Sequence, residues 1–237
     1  MRLAVLYLDN HLLVVCKPAG MLTQADRSGD LSLLEAGRAY IKQRFHKPGN
    51  VFLGLVHRLD RPVSGVVVFA RTSKAAARLS AQFRQRQVAK VYWALVQGRV
   101  AEAGAFSDRL RRTGVHSQIV PYAPGQVAEL RFRRLGYEQD VSWVEIALGT
   151  GRHHQIRAQF AHHGHPVLGD RRYGATVPFA PGVIALHARA VTIAHPTLST
   201  PMTFTAEPER LWQWPAQLGK DGGRVYTGSR SQASQGS

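Results

Sequence analysis

Several things that would classify this 237-residue chain quickly are scarce in it. Cys16 is its one cysteine, which excludes an intramolecular disulfide or a cluster of thiolate metal ligands and makes a reducing, cytoplasmic location the expectation. No uncharged apolar run approaches the ~18 residues that a membrane span needs. The opening Leu3 to Leu8 stretch is broken by Asp9, Asn10 and His11, so neither an export signal nor a membrane partner is expected. No internal repeat is evident. Acids are scarce as well: 15 Asp and Glu face 31 Lys and Arg, for a formal net charge of +16. Such a field draws polyanions, so nucleic acid is the first partner to expect. The competing explanation is a basic protein that only binds RNA or sits near ribosomes.

The shortage of acid is sharpest between Glu35 and Glu102, where thirteen Lys or Arg residues accompany a single carboxylate, Asp60. It stands within His57-Arg58-Leu59-Asp60-Arg61, where neighbouring cations would hold it ionised as a ready base or nucleophile. An Asp flanked by Arg is more often a weak surface salt bridge, so its surroundings must decide. Pro62-Val63-Ser64-Gly65 reads as a turn and Val66 to Ala70 as a buried strand. Asp60 is thus expected on a loop entering the core, a common place for catalytic side chains.

Elsewhere, Leu3 to Leu8 and His11 to Lys17 read as a strand pair around Asp9-Asn10. Helices are expected over residues 32–45, with Asp30 or Ser32 as N-cap, over 74–85 after Thr72 or Ser73, and over 154–163. Further strands are expected at 88–96, 128–135, 141–148, 184–193 and 202–206. Strands outnumber helices without a regular βαβ rhythm, which argues for an α+β fold with a mixed, largely antiparallel central sheet and flanking helices. One catalytic domain over residues 1–219 is expected, with a disordered polar tail over 220–237.

Two more segments complete a candidate site. Along the strand at 88–96, alternation puts Lys90 and Tyr92 on one face; Tyr92 there is either a platform for a flat ligand or an ordinary cross-strand aromatic. Gly149 to Arg157 is a glycine-bounded loop entering a helix, where backbone amides favour anions and Arg152 or Arg157 would pair with carboxylate or phosphate. The histidines between 153 and 165 lack the spacing of a metal site, so no metal is expected. Ser64 lacks a nucleophile-elbow pattern, which makes a serine hydrolase a weak competitor.

Taken together these segments resemble the RluA-type family of RNA pseudouridine synthases, whose His-Arg-Leu-Asp-x-x-x-Ser-Gly hallmark stands here as His57 to Gly65. The resemblance extends to Lys90-Val91-Tyr92, to Gly151-Arg152-His153-His154-Gln155-Ile156-Arg157, to Gly164 through Asp170 with Tyr173-Gly174, and to Leu186-His187-Ala188 and His195-Pro196. His153 stands where the family often has Thr. The small S4-type domain of many relatives has no counterpart in this sequence.

What the resemblance implies is isomerisation of uridine to pseudouridine in structured ribosomal or transfer RNA, by a monomer and without a cofactor. Asp60 would be the essential carboxylate, either attacking C1′ or abstracting the 2′ proton. Tyr92 would stack on the base and assist loss of the C5 proton. Arg157 would pair with Asp60, and Ile156 would help exclude water. A uridine in folded RNA must first be swung out, at a cost of about a few kcal/mol. Arg58 is the candidate to fill the vacated stack, and His57, Arg61, Lys90 and Arg152 are candidates for further RNA contact.

Overall fold

Short-range hydrogen bonding starts the chain's first hairpin. Strands β1 (Ala4–Leu8) and β2 (Leu12–Lys17) pair antiparallel, and at the turn Asp9 Oδ1 accepts the His11 and Leu12 amides at 2.7 and 2.6 Å, the turn chemistry that suits aspartate. Helix α1 (Leu33–Arg44) opens on Ser32, which forms a reciprocal capping box with Glu35; the other candidate cap, Asp30, pairs with Arg61 instead. Next come β3 (Gly54–Leu55), β4 (Ser64–Ala70) and α2 (Ser73–Arg84), the last capped by Thr72. The chain then runs through β5 (Ala89–Gln97), β6 (Ala103–Thr113), β7 (His116–Ile119), β8 (Gln126–Glu138) and β9 (Val141–Leu148). Helix α3 (Gln155–His162), a short 3-10 turn (Arg171–Tyr173), β10 (Leu186–Ala194) and β11 (Pro201–Thr205) follow.

This computed structural model describes residues 3–208 and Trp212. The expected disordered tail, 220–237, and the end of the expected 1–219 domain lie outside the described residues. One sheet runs in the order β1-β2-β4-β10-β5-β9-β8-β6-β7, with β11 added to β10 and β3 to β4. Every pairing is antiparallel except β4 with β10. The mixed, largely antiparallel α+β architecture read from the sequence is the one found. Among the described residues no helix is long and apolar enough to cross a membrane.

Strands β2 and β4 are covered on both sides, which is why their residues are apolar without alternation. Leu13, Val15, Val67 and Phe69 pack with Leu33 and Ile41 of α1 on one face. Leu12, Val14, Val66 and Val68 pack with Ala75 and Leu79 of α2 on the other. Each such side chain, removed from water, stabilises by about 1.5–3 kcal/mol, so the loop between β3 and β4 is hung from the most rigid part of the molecule.

Two expectations are corrected. The turn expected at Pro62 to Gly65 is confined to Arg61 and Pro62, and Ser64 and Gly65 already belong to β4. Gly65 is required by its neighbour: at φ +119° a Cβ would stand 2.3 Å from the Ala188 carbonyl oxygen of β10, so only glycine lets the parallel strands meet here. The long hairpin of β6 and β7 was not expected. Its strands do alternate in burial, but the inward positions include Gly104, Asp108 and Ser117 beside Phe106, Leu110 and Ile119, so the apolar alternation that marks a half-buried strand is missing from the sequence.

Candidate active site

Asp60 sits on the loop before β4, and that loop is gripped by its backbone. Thr23 Oγ1 donates to the Leu59 carbonyl at 2.7 Å and accepts the Leu59 amide at 3.2 Å. On the other side Lys17, wholly buried, donates from Nζ to the carbonyls of Arg61, Pro18 and Met21 at 3.1, 3.0 and 2.7 Å. A buried ammonium is tolerated only when its donors are met; here they meet the residue after Asp60. Sequence reasoning passed over both Lys17 and Thr23, since each reaches across the fold.

The carboxylate faces a buried cation on α3. Arg157 Nη1 donates to Asp60 Oδ2 at 3.0 Å. Its other edge is taken by Asp170, with Nε to Oδ2 at 2.6 Å and Nη2 to Oδ1 at 2.9 Å, a bidentate pair of the strong kind. The guanidinium also lies over the Tyr173 ring, 5.0 Å from its centre. Burial alone would lower the Arg157 pKa; Asp170, and then Asp60, overturn that and hold it above its ordinary value. The side chains of Arg157 and Asp170 are 5% and 1% exposed, whereas that of Asp60 is 28% exposed, so of the three only Asp60 is accessible to a ligand.

His154, in left-handed conformation (φ 53°), opens α3. Its Nε2 lies 3.3 Å from Asp60 Oδ2 and its Nδ1 lies 2.9 Å from Tyr173 Oη. Burial drives its pKa down to about 3 despite the pull of Asp60, so the ring is neutral at ordinary pH. His153 stacks on it at 3.8 Å and reaches Ser117 Oγ through Nδ1 at 3.0 Å.

A cleft of about 650 Å³ opens in front of Asp60. Tyr92 and Ile156 line it, Ile156 being buried. Burial first, and then the Asp60 charge, raise the Tyr92 pKa, so its phenol stays protonated. Lys90 and Arg152 form part of the wall. Burial, then the nearby Arg86, bring Lys90 down to about 8, and Lys90 Nζ lies 3.4 Å from the Thr150 carbonyl oxygen. Arg152 Nε donates to the Val127 carbonyl. Arg58 is exposed at the rim. The His57 ring is committed to the scaffold: its Nε2 accepts the Val68 amide at 2.9 Å, it stacks on Phe83 at 4.7 Å, and burial holds its pKa at about 3.

All the expected site residues except Arg61 therefore border this cleft. Arg61 turns away, donating to the Gly20 carbonyl and pairing with Asp30 at 2.7 Å. It borders a neighbouring hollow of about 890 Å³ that also reaches Asp60 and Arg157. Ser64, set aside as a nucleophile, is buried and bonded to His187 Nδ1 at 2.8 Å. Among the described residues no three His, Cys, Asp or Glu side chains converge as a metal ion requires. The sequence reading gave no role to His154, Asp170 or Tyr173, although all three lie in the segments that carry the resemblance.

Comparison with known proteins identifies a family for the chain. Residues 11–162 match the family described as RNA pseudouridylate synthase. The chain is 32% identical to the tRNA pseudouridine synthase C of Haemophilus ducreyi, over 90% of its own length and 94% of that protein's. It is 35% identical to the ribosomal large subunit pseudouridine synthase C of Vibrio cholerae over 81% of its length, and spans 61% of that longer protein. In fold it is similar to human RNA Pseudouridylate Synthase Domain Containing 4, with a TM-score of 0.73 at 24% identity over 87% of this chain and 89% of that one.

Proposed function

The chain belongs to the RNA pseudouridylate synthase family, and from that premise we propose that it is an RluA-type enzyme acting in the cytoplasm on a uridine of ribosomal or transfer RNA, with Asp60 as its essential carboxylate. The observation that carries this reading is the contrast within one ion cluster. A buried Arg157 is neutralised mainly by a buried Asp170 through Nε and Nη2 and presents its third nitrogen, Nη1, to an accessible Asp60. Such a cation holds and aims the Asp60 carboxylate without consuming it.

In this reading the flipped uridine enters the 650 Å³ cleft. Asp60 acts at the sugar, either at C1′ or on the 2′ proton. The base is retained against Tyr92, turned, and rejoined through C5. Ile156 keeps water from intercepting the detached base. Arg58, exposed at the rim, fills the stack left by the extruded nucleotide, since a guanidinium plane packs on bases. Lys90 and Arg152 meet neighbouring phosphates, which helps offset the cost of unstacking.

The test is tritium release from RNA labelled at uridine C5, taken from cells lacking the protein. Wild-type protein should release tritium; Asp60→Ala should not, while still binding the RNA. Binding without release from any RNA fraction by the wild type would leave a basic RNA-binding protein in place of the enzyme. Mapping pseudouridine in ribosomal and transfer RNA from cells with and without the gene assigns the target.

A further inference from the structure

The two oxygens of Asp60 are not equivalent. Arg157 Nη1 and His154 Nε2 both approach Oδ2, at 3.0 and 3.3 Å, and among the described residues no donor reaches Oδ1. The protonation of His154 follows from Tyr173. The Tyr173 hydroxyl oxygen accepts the Ser117 amide at 2.9 Å, and its own proton has one remaining partner, His154 Nδ1 at 2.9 Å. Were Nδ1 protonated instead, the phenol would accept twice and leave its proton to solvent, whereas a Tyr173 O–H donated to Nδ1 satisfies both groups within the protein. Nδ1 is therefore the accepting nitrogen, and the ring's proton sits on Nε2, toward Asp60.

Resting on the assignment of Asp60 as the essential carboxylate, we propose that His154, fixed as its Nε2–H tautomer by Tyr173, is a positioning residue that works with Arg157 to tie down Oδ2 and leave Oδ1 as the oxygen turned to the substrate. At 3.3 Å the His154 Nε2–Asp60 Oδ2 pair is within reach but not aligned as a hydrogen bond, and such contacts in catalytic sites tighten when substrate is in place. The ring is held for this duty from three sides. His153 stacks on one face, the Tyr173 ring meets it edge-on at 5.7 Å, and the left-handed backbone at φ 53° sets its direction, a conformation that a non-glycine residue keeps only under local constraint. The charged and titratable groups around it are Asp60, Arg157, His153, Arg172 and Tyr173. With three cationic or potentially cationic neighbours and a buried position, the ring serves as a neutral donor, driven down to about 3 chiefly by burial.

The experiment compares three variants with wild type in the C5 tritium assay on RNA from cells lacking the protein. His154→Leu removes the donor and should lower kcat roughly 10- to 100-fold with KM nearly unchanged. His154→Gln places an amide N–H where Nε2 stood and should recover most of that loss. Tyr173→Phe keeps the ring beside Arg157 and deletes only the hydroxyl; it should lose several-fold in kcat, and it carries the test if His154→Leu does not fold. Nitrogen-15 spectra of the wild-type imidazoles should show His154 neutral and Nε2–H from pH 5 to 8. The proposal is overturned if His154→Leu or Tyr173→Phe turns over like wild type, if a folded His154→Gln is as slow as His154→Leu, or if the ring is Nδ1–H or protonates near pH 6.5. Failure of wild type to release tritium sinks the parent reading instead, and the spectra separate the two results.

Discussion

Asp9 and Asp60, two of the three described aspartates that stand against a histidine Nε2, are used in opposite ways. Asp9 is saturated. Oδ1 takes the amides of His11 and Leu12, and Oδ2 takes the Tyr7 hydroxyl at 3.1 Å and His195 Nε2 at 2.8 Å. His195 is in turn fixed by the Leu198 amide donating to its Nδ1, so the cluster ties the first hairpin to the loop after β10. Asp60 is far from saturated: Arg157 is its one hydrogen-bond donor among the described residues, and His154 Nε2 stands 3.3 Å from the same oxygen. A carboxylate whose lone pairs are all spoken for stabilises the fold, and one left with a bare oxygen beside a cleft can act on a ligand. The histidine is common to both; the count of donors separates a structural clasp from a carboxylate open to a ligand.

Exchanging both aspartates for alanine puts that contrast to the strongest test. Asp60→Ala should cost about ten-thousand-fold or more in turnover, the scale of removing a group that touches the reacting atoms, while urea unfolding stays close to wild type. An inactive but strongly destabilised Asp60→Ala would erase the distinction. Asp170→Asn comes next in size. It leaves Arg157 buried with one partner fewer, and breaking such a pair costs about 3–5 kcal/mol, visible in denaturant melts and accompanied by slower turnover as Arg157 loses its aim. Asp9→Ala should cost about 2 kcal/mol, because it strands two amides and an imidazole donor, with kcat of the folded fraction near wild type. A selective loss of kcat there would break the comparison.

The remaining prediction concerns pH dependence. Burial lowers His57 and His154 to about 3 and His187 to about 4. Below pH ~6.5, the ordinary imidazole value, the unfolded chain binds more protons than the folded one, so stability falls as pH drops from there toward 4. Asp9 is lowered instead: burial would raise it, but the His11 and Leu12 amides, then His195 and Tyr7, outweigh that. Its contribution is complete above its unfolded value, about 4, and is lost only as pH falls below that through its folded value. Thermal midpoints should therefore decline from about pH 6.5 down to 3, and Asp9→Ala should show a shallower decline than wild type below about pH 4. Turnover per folded molecule should show no imidazole limb between pH 5.5 and 8, and one centred near 6.5 would contradict the neutral role given to His154.

How much of this was legible in the sequence depended on how far apart the interacting residues lie. The N-caps of α1 and α2, the hairpin at Asp9 and the strands with one clean face follow from contacts a few residues apart, and their boundaries differ from expectation by about one or two residues, as such boundaries do. Asp60 stood out because its stretch is otherwise wholly cationic. The rest is nonlocal. Gly65 read as a turn residue because the carbonyl that forbids a side chain there belongs to Ala188. Arg157 read as the partner of Asp60, when its bidentate bond goes to Asp170. The run of histidines from 153 to 165 invited comparison with a metal site, and the donor duty of His154 emerges only once Tyr173 is beside it.

The grip on the Asp60 loop is applied to main-chain atoms: Lys17 holds the Arg61 carbonyl and Thr23 holds both backbone groups of Leu59. Amide and carbonyl groups are the same whatever side chain they carry. Position 58, whose exposed side chain takes no part in that grip, can therefore change identity while the Asp60 carboxylate keeps its place, so the RNA contact and the chemistry proposed for this loop can vary independently.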